Sequence, residues 1–175
     1  MYIFRANSCR AMRKGSMKKL GLLVLLALTL PITAQETVPQ GFEFWNAASL
    51  KQLGQELSKN AASDRHHAAT RRFADYSNDY ALFARREADG IPEWHETEAD
   101  VFFVQTGTAT LVVGGALDGA QTTEPHEKRN GKIVGGIRRR LAAGDVVRIP
   151  AKTPHQLSLE GAHEFTYFVI KVKGY

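Results

Sequence analysis

From Tyr80 onward the sequence breaks into short runs of β-type residues: "YALFARREA", "DVFFVQTG", "TATLVVGG", "KIVGGIRRRL", "GDVVRIP", "HQLSLE" and "EFTYFVIKV". Gly, Pro, Asn and Asp separate them. Runs this short leave no room for the crossover helices of a parallel sheet. They predict an all-β, antiparallel sandwich or barrel. One long polar segment, "ALDGAQTTEPHEKRNG" (116–131), interrupts the series and reads as a loop. Loops of that length in a compact domain are usually functional or mobile.

Upstream of Tyr80 the pattern differs. In "NAASLKQLGQELSKN" (Asn46 to Asn60), Leu50, Leu53 and Leu57 recur at helical spacing and Asn46 stands where a cap belongs. A short amphipathic helix is expected there, with Gly54 as its weak point. The segment Gln35 to Gly41 reads as an extended arm. The mixed, polar stretch from Ala61 to Tyr76 reads as a loop or a second weak helix. The expected organisation is a leader over 1–34, a partly helical N-terminal extension over 35–79, and a β-barrel domain over 80–175.

The formal net charge of +5 invites a nucleic-acid reading. Its distribution rejects it. Six of the 23 Lys and Arg lie in the first 34 residues, which hold no acid, leaving 17 against all 18 Asp and Glu. The basic balance therefore belongs to the leader. Met17-Lys18-Lys19 makes a positive start, Leu20 to Leu30 an 11-residue apolar core, and Ala34 offers a small residue for cleavage before Gln35. This is the pattern of a secretory signal, and Met17 reads as a better start than Met1. An 11-residue core is too short to span a bilayer, which needs about 20 residues, so no stable membrane anchor is expected after cleavage. The expected location is periplasmic or secreted. An uncleaved anchor is the alternative. Cys9, the single cysteine, lies within the leader. The mature chain can then use neither a disulfide framework nor a cysteine nucleophile, and any metal site must be built from His, Asp and Glu.

Two stretches carry such residues. "PEWHETEADVFFVQTG" (Pro92 to Gly107) sets His95 among carboxylates ahead of an apolar run. "GDVVRIPAKTPHQLSLE" (Gly144 to Glu160) makes a turn, a strand, a tight bend between two prolines, and then His155. In a strand Glu93 and His95 share one face, because the side-chain period is two. A turn through Glu96 to Ala99 lets Asp100 open the next strand toward the same cavity, and His155 can join from a separate hairpin. Two imidazoles with two carboxylates suit a divalent metal, and two His with one carboxylate match the facial triad of non-haem iron.

The spacings resemble those of the cupin superfamily. Its second motif has Gly, five residues, Pro, one residue, Gly, two residues and His; Gly144, Pro150 and His155 fit it, with Lys152 in place of the second Gly. Its first motif has His, one residue, His, three or four residues, Glu, six residues and Gly. Here the pattern is Glu93-x-His95-x4-Asp100-x6-Gly107, with two of the four ligand types changed. The resemblance covers about Tyr80 to Val172 and implies a jelly-roll β-barrel enclosing a cavity. It also implies a divalent metal (Fe, Mn, Zn, Ni or Cu) on His95, His155, Asp100 and Glu93, and pairing into a homodimer.

Three functions remain open. The barrel is a metal-dependent enzyme of oxygenase, isomerase or lyase type acting on a small organic molecule, with Glu93 or Glu96 moving a proton. Or it is a non-catalytic module for a small polar ligand, a sugar among them. Or it is a degenerate barrel whose former ligands only hydrogen-bond. His126, in the long loop, reads as a lid residue or, more simply, an exposed one. The basic run Arg138 to Arg140 reads as a solvated strand edge. Phe102, Phe103, Phe165, Tyr167 and Phe168 read as core or cavity wall, and no stacking platform for bases is evident.

Overall fold

The computed structural model describes residues 37–175; the leader, with its apolar core and the cleavage expected after Ala34, lies outside the described residues. Helix α1 (Ala47–Ser63) begins where Asn46 accepts a hydrogen bond from the Ser49 amide at 2.9 Å. That bond satisfies one of the amides a helix start leaves free. The helix runs through Gly54 and three residues past the expected end, because Ala61 extends the buried face formed by Leu53 and Leu57. Among the described residues no helix is long and apolar enough to cross a membrane.

Twelve strands follow: β1 (Ala68–Asp75), β2 (Asp79–Arg86), β3 (Glu93–His95), β4 (Glu98–Val113), β5 (Ala116–Asp118), β6 (Gln121–Glu124), β7 (Glu127–Arg129), β8 (Lys132–Val134), β9 (Ile137–Ala142), β10 (Val146–Ile149), β11 (His155–Ser158) and β12 (Phe165–Lys173). All pairings are antiparallel. One layer has the order β1-β2-β12-β4, with β10 on the other side of β4. The other has β9 beside β4, then β11, β3, β7 and β6. This is the antiparallel jelly-roll barrel that the run pattern and the resemblance predict.

Strand β4 belongs to both layers. Residues 98–107 pair with β12 and residues 100–103 with β10; beyond the bend, 108–113 pair with β9 and 110–113 with β11. The bend lies at Gly107, whose φ is +76°. A bulge at Gln105, where the register skips from Thr106 to Val104 against β12, shifts the side-chain alternation by one. Asp100, Phe102 and Val104 therefore face inward before it, and Ala109 and Leu111 after it.

Two apolar clusters result. The inner one contains Phe102, Val104, Leu111, Ile149, Leu157, Phe165, Tyr167 and Val169. The outer one joins Leu53 and Leu57 of α1 to Ala81, Phe83 and Phe168 on the far face of the sheet. Trp45 closes it, 4.8 Å from Phe168 and 5.1 Å from Phe73 between ring centres. The period-two rule is clear on β12: Phe168 and Ile170 face the helix, while Tyr167, Val169 and Lys171 face the cavity.

Two expectations are corrected. Half of the stretch from Ala61 to Tyr76 is neither loop nor helix, since β1 occupies Ala68–Asp75 and pairs with β2. Its Thr and Arg residues contribute little apolar signal, but the neighbouring strand supplies backbone partners. The segment 116–131 is not a plain loop. It holds β5, β6 and β7, and β7 reaches back to pair with β3.

Candidate metal and ligand centre

The residues expected to form the centre come together in the barrel. Glu93 and His95 lie on β3, Asp100 on β4 and His155 on β11. Each stands opposite another polar residue across its ladder. Glu93 faces His155, His95 faces Glu127 of β7, and Asp100 faces Lys171 of β12. Cross-strand partners sit close enough to interact directly, so strand register alone gathers six polar side chains.

One nitrogen from each of His95 and His155 and one oxygen of Glu93 lie within 4.8 Å of one another. Asp100 Oδ2 is 3.5 Å from Nε2 of both imidazoles. Glu93 Oε2 is 3.7 Å from His95 Nε2 and 4.0 Å from His155 Nε2. His95, Asp100 and His155 are each no more than 3% exposed.

The tautomers follow from the outer partners. His155 Nδ1 lies 3.1 Å from the Thr153 carbonyl, which only accepts, so Nδ1 carries the proton and donates. Its Nε2 is buried and has no hydrogen-bond partner among the described residues. His95 Nδ1 donates to the Glu127 carboxylate at 2.7 Å. This is the arrangement in which an outer acceptor orients a metal-binding imidazole.

The other nitrogen of His95 is engaged by Lys171, whose Nζ lies 2.7 Å from Nε2. The same Nζ is 2.6 Å from Asp100 Oδ1, an ion pair rather than an aligned hydrogen bond. Burial works against the charge on Asp100, yet the imidazoles of His155 and His95 beside it and the charge of Lys171 outweigh it and hold the carboxyl far below its usual range. Glu93 is likewise held low: burial opposes its charge, and Arg129, His155 and Arg86 prevail. Arg129 lies 2.9 Å and Arg86 3.3 Å from its Oε1.

The centre opens into a cavity of about 560 Å³. Charged and hydroxyl groups of both signs line it, including Arg72, Arg86, Tyr80, Glu98 and Arg129, over an apolar patch of Leu82, Phe102 and Val169. Glu96, considered above as a proton carrier, is not in this wall. It sits half-buried in the turn between β3 and β4 and bonds the exposed His126 at 2.8 Å.

Two members of the centre escape the motif pattern. Lys171 carries a legible signal: a lysine flanked by Ile170 and Val172 in an apolar strand, two and four residues from the inward Val169 and Tyr167. Glu127 carries none, because its place depends on the hairpin register of a wholly polar segment. Arg138 to Arg140 are exposed on β9, as a solvated edge would be.

Lys152, at the motif position usually held by Gly, keeps the left-handed conformation with φ of +62°. Its amide donates to the His95 carbonyl at 2.7 Å, tying the bend to β3. A lysine is strained in that region. Lys152→Gly is expected to raise stability by about 0.5–1 kcal/mol in urea denaturation, the relief of strain exceeding the added chain entropy.

No family model and no curated protein matches the sequence. Solved structures do resemble it. A Cupin 2 conserved barrel domain protein from Salinispora arenicola shares 19% identity over 62% of this chain and 77% of its own, with a TM-score of 0.43. A double-stranded β-helix domain protein from Klebsiella pneumoniae shares 15% over 61% and 77%, at 0.45. A DMSP lyase from Ruegeria pomeroyi shares 18% over 60% of this chain and 46% of its own, at 0.43. These are likenesses of fold: the chain is similar to cupin and double-stranded β-helix barrels.

Proposed function

We propose that this is an exported cupin-type barrel that binds a small polar organic molecule beside a divalent metal held by His95, His155, Asp100 and Glu93. The observation that carries the reading is the buried Nε2 of His155. Its ring is fixed through Nδ1, and no described residue satisfies the nitrogen that points at two carboxylates. A buried polar atom without a partner calls for an explanation, and an ion is one. The mixed nitrogen and oxygen donors suit Fe, Mn, Zn, Ni or Cu.

When bound, such an ion supplies Lewis-acid polarisation of a ligand oxygen. The chain's own groups do the rest. The cavity wall of arginines, tyrosine and carboxylates binds a molecule rich in oxygen, and Leu82, Phe102 and Val169 contact its apolar side. When the ion is held by His95, His155 and Asp100 alone, Glu93, held ionised by Arg86 and Arg129, is placed to accept a proton from that molecule. Turnover of oxygenase, isomerase or lyase type is the enzymatic form of this proposal. Export rests on the Met17 to Ala34 pattern, and a homodimer on the likeness to cupins.

The second reading is a metal-free module for a small ligand such as a sugar. Lys171 favours it, because its contact with Asp100 gives the carboxylate a counter-charge from within the chain. Metal analysis of the untagged protein separates the two. The expected result is near-stoichiometric metal in the wild type, after reconstitution if necessary, and its loss from both His95→Ala and His155→Ala. Folded wild-type protein that takes up no Fe, Mn, Zn or Ni would sink the metal reading.

A further inference from the structure

The contact between Lys171 and His95 sets a condition on any metal. Two N–H groups cannot face each other at 2.7 Å, so this contact holds one proton between Nζ and Nε2. Lys171 Nζ thus occupies the lone pair of His95 Nε2 and at the same time lies 2.6 Å from Asp100 Oδ1. His95 Nε2 has one lone-pair direction. Its Nδ1 already donates to Glu127 and cannot ligate in its place. A metal on His95 must therefore break the bond to Lys171, and a divalent ion next to a displaced ammonium is further penalised by like-charge repulsion.

We propose that Lys171 is the resident cation of this centre and that Lys171 and a divalent metal occupy it in mutual exclusion. The chain gates its own metal site: the ion enters only when the Lys171 side chain leaves Asp100 and His95. Room for that movement exists, since Lys171 lines the open cavity together with Lys173, Glu98 and Glu124. Nothing in the backbone has to move, because the four-carbon stem of lysine turns about its own torsions. The inference rests on the metal reading above but makes a separate claim about affinity.

The test is titration of the untagged protein with Zn²⁺ and with Mn²⁺ against a chelating dye. Wild type, Lys171→Met and Lys171→Gln are compared, with His155→Ala as control and circular dichroism as the check on folding. The glutamine variant keeps a hydrogen-bonding group beside Asp100 in case the methionine variant does not fold. Removing the competitor is expected to tighten binding at least ~10-fold in either folded variant. The metal should also raise the melting temperature of the variant more than that of the wild type. Binding by the variants alone supports the exclusion by Lys171 while sinking the metal reading for the wild-type chain. Equal or weaker binding in the folded variants would overturn the gate and leave the metal site standing. No binding by any folded protein would overturn the gate and the metal reading together.

Discussion

Asp100→Leu is expected to cost about 3–5 kcal/mol of folding free energy, the range seen when one partner of a buried ion pair is removed. Asp100 is 2% exposed and Lys171 6%, and they face each other across β4 and β12. Leucine leaves the lysine charge buried beside two imidazoles with no counter-charge. Removing both charges is different, since an apolar pair of similar volume often replaces a buried ion pair without loss. The double variant Asp100→Leu/Lys171→Met should return to within about 2 kcal/mol of wild type. Urea midpoints for the four members of this cycle decide the matter. If the double variant loses as much as the two single variants combined, the residues are not coupled, and the picture of Lys171 as the counter-charge of Asp100 is wrong.

Gly107→Ala is expected to destabilise by about 3 kcal/mol or to keep the protein from accumulating in folded form. Two effects act together. The backbone at Gly107 has φ of +76°, where a β-carbon is strained. The added carbon would also lie 2.0 Å from the Glu164 carbonyl oxygen, which is backbone and cannot swing aside. That carbonyl accepts from the Thr108 amide, so moving it disturbs the bend of β4 itself. Gly144→Ala is the control. Its φ is +93° but nothing lies within 4 Å of the added carbon, so only the conformational cost of about 1 kcal/mol should appear. Equal losses at the two positions would show that the clash at Gly107 is relieved elsewhere.

Much of this architecture could be read from the chain, for reasons visible in particular residues. The β-runs after Tyr80 alternate because one face meets the core, and the glycines at 107 and 144 mark places where the backbone turns left-handed. The four motif positions converge because strand parity places Glu93 with His95 and the turn at 96–97 carries Asp100 back to the same side. What could not be read depends on partners remote in sequence. Strand β1 is polar and is held by β2, and β7 finds its register only through β3 and β6. Glu127 belongs to that second group, so its role as the orienting acceptor of His95 had no local signal. Lys171 did have one, as an inward lysine in step with Tyr167 and Val169, but a lysine near a strand end, with Lys173 two residues on, reads equally well as an exposed one. Glu96, near His95 in sequence, lies in the turn expected there and bonds His126 without itself lining the cavity.

The double membership of β4 bears on how molecules can enter and leave. Local opening gives many closed sites a route to solvent, and it begins where few backbone bonds must break. Asp100 lies on a strand bonded to β12 and β10 in one layer and to β9 and β11 in the other. Freeing that floor would part both layers at once, which amounts to unfolding the barrel. Any widening of the cavity is therefore expected at the opposite wall, where β6 and β7 are only four and three residues long and Glu124, Pro125 and His126 line the cavity. A ligand held there is expected to leave at a rate that follows the opening of that short hairpin and not the stability of the fold.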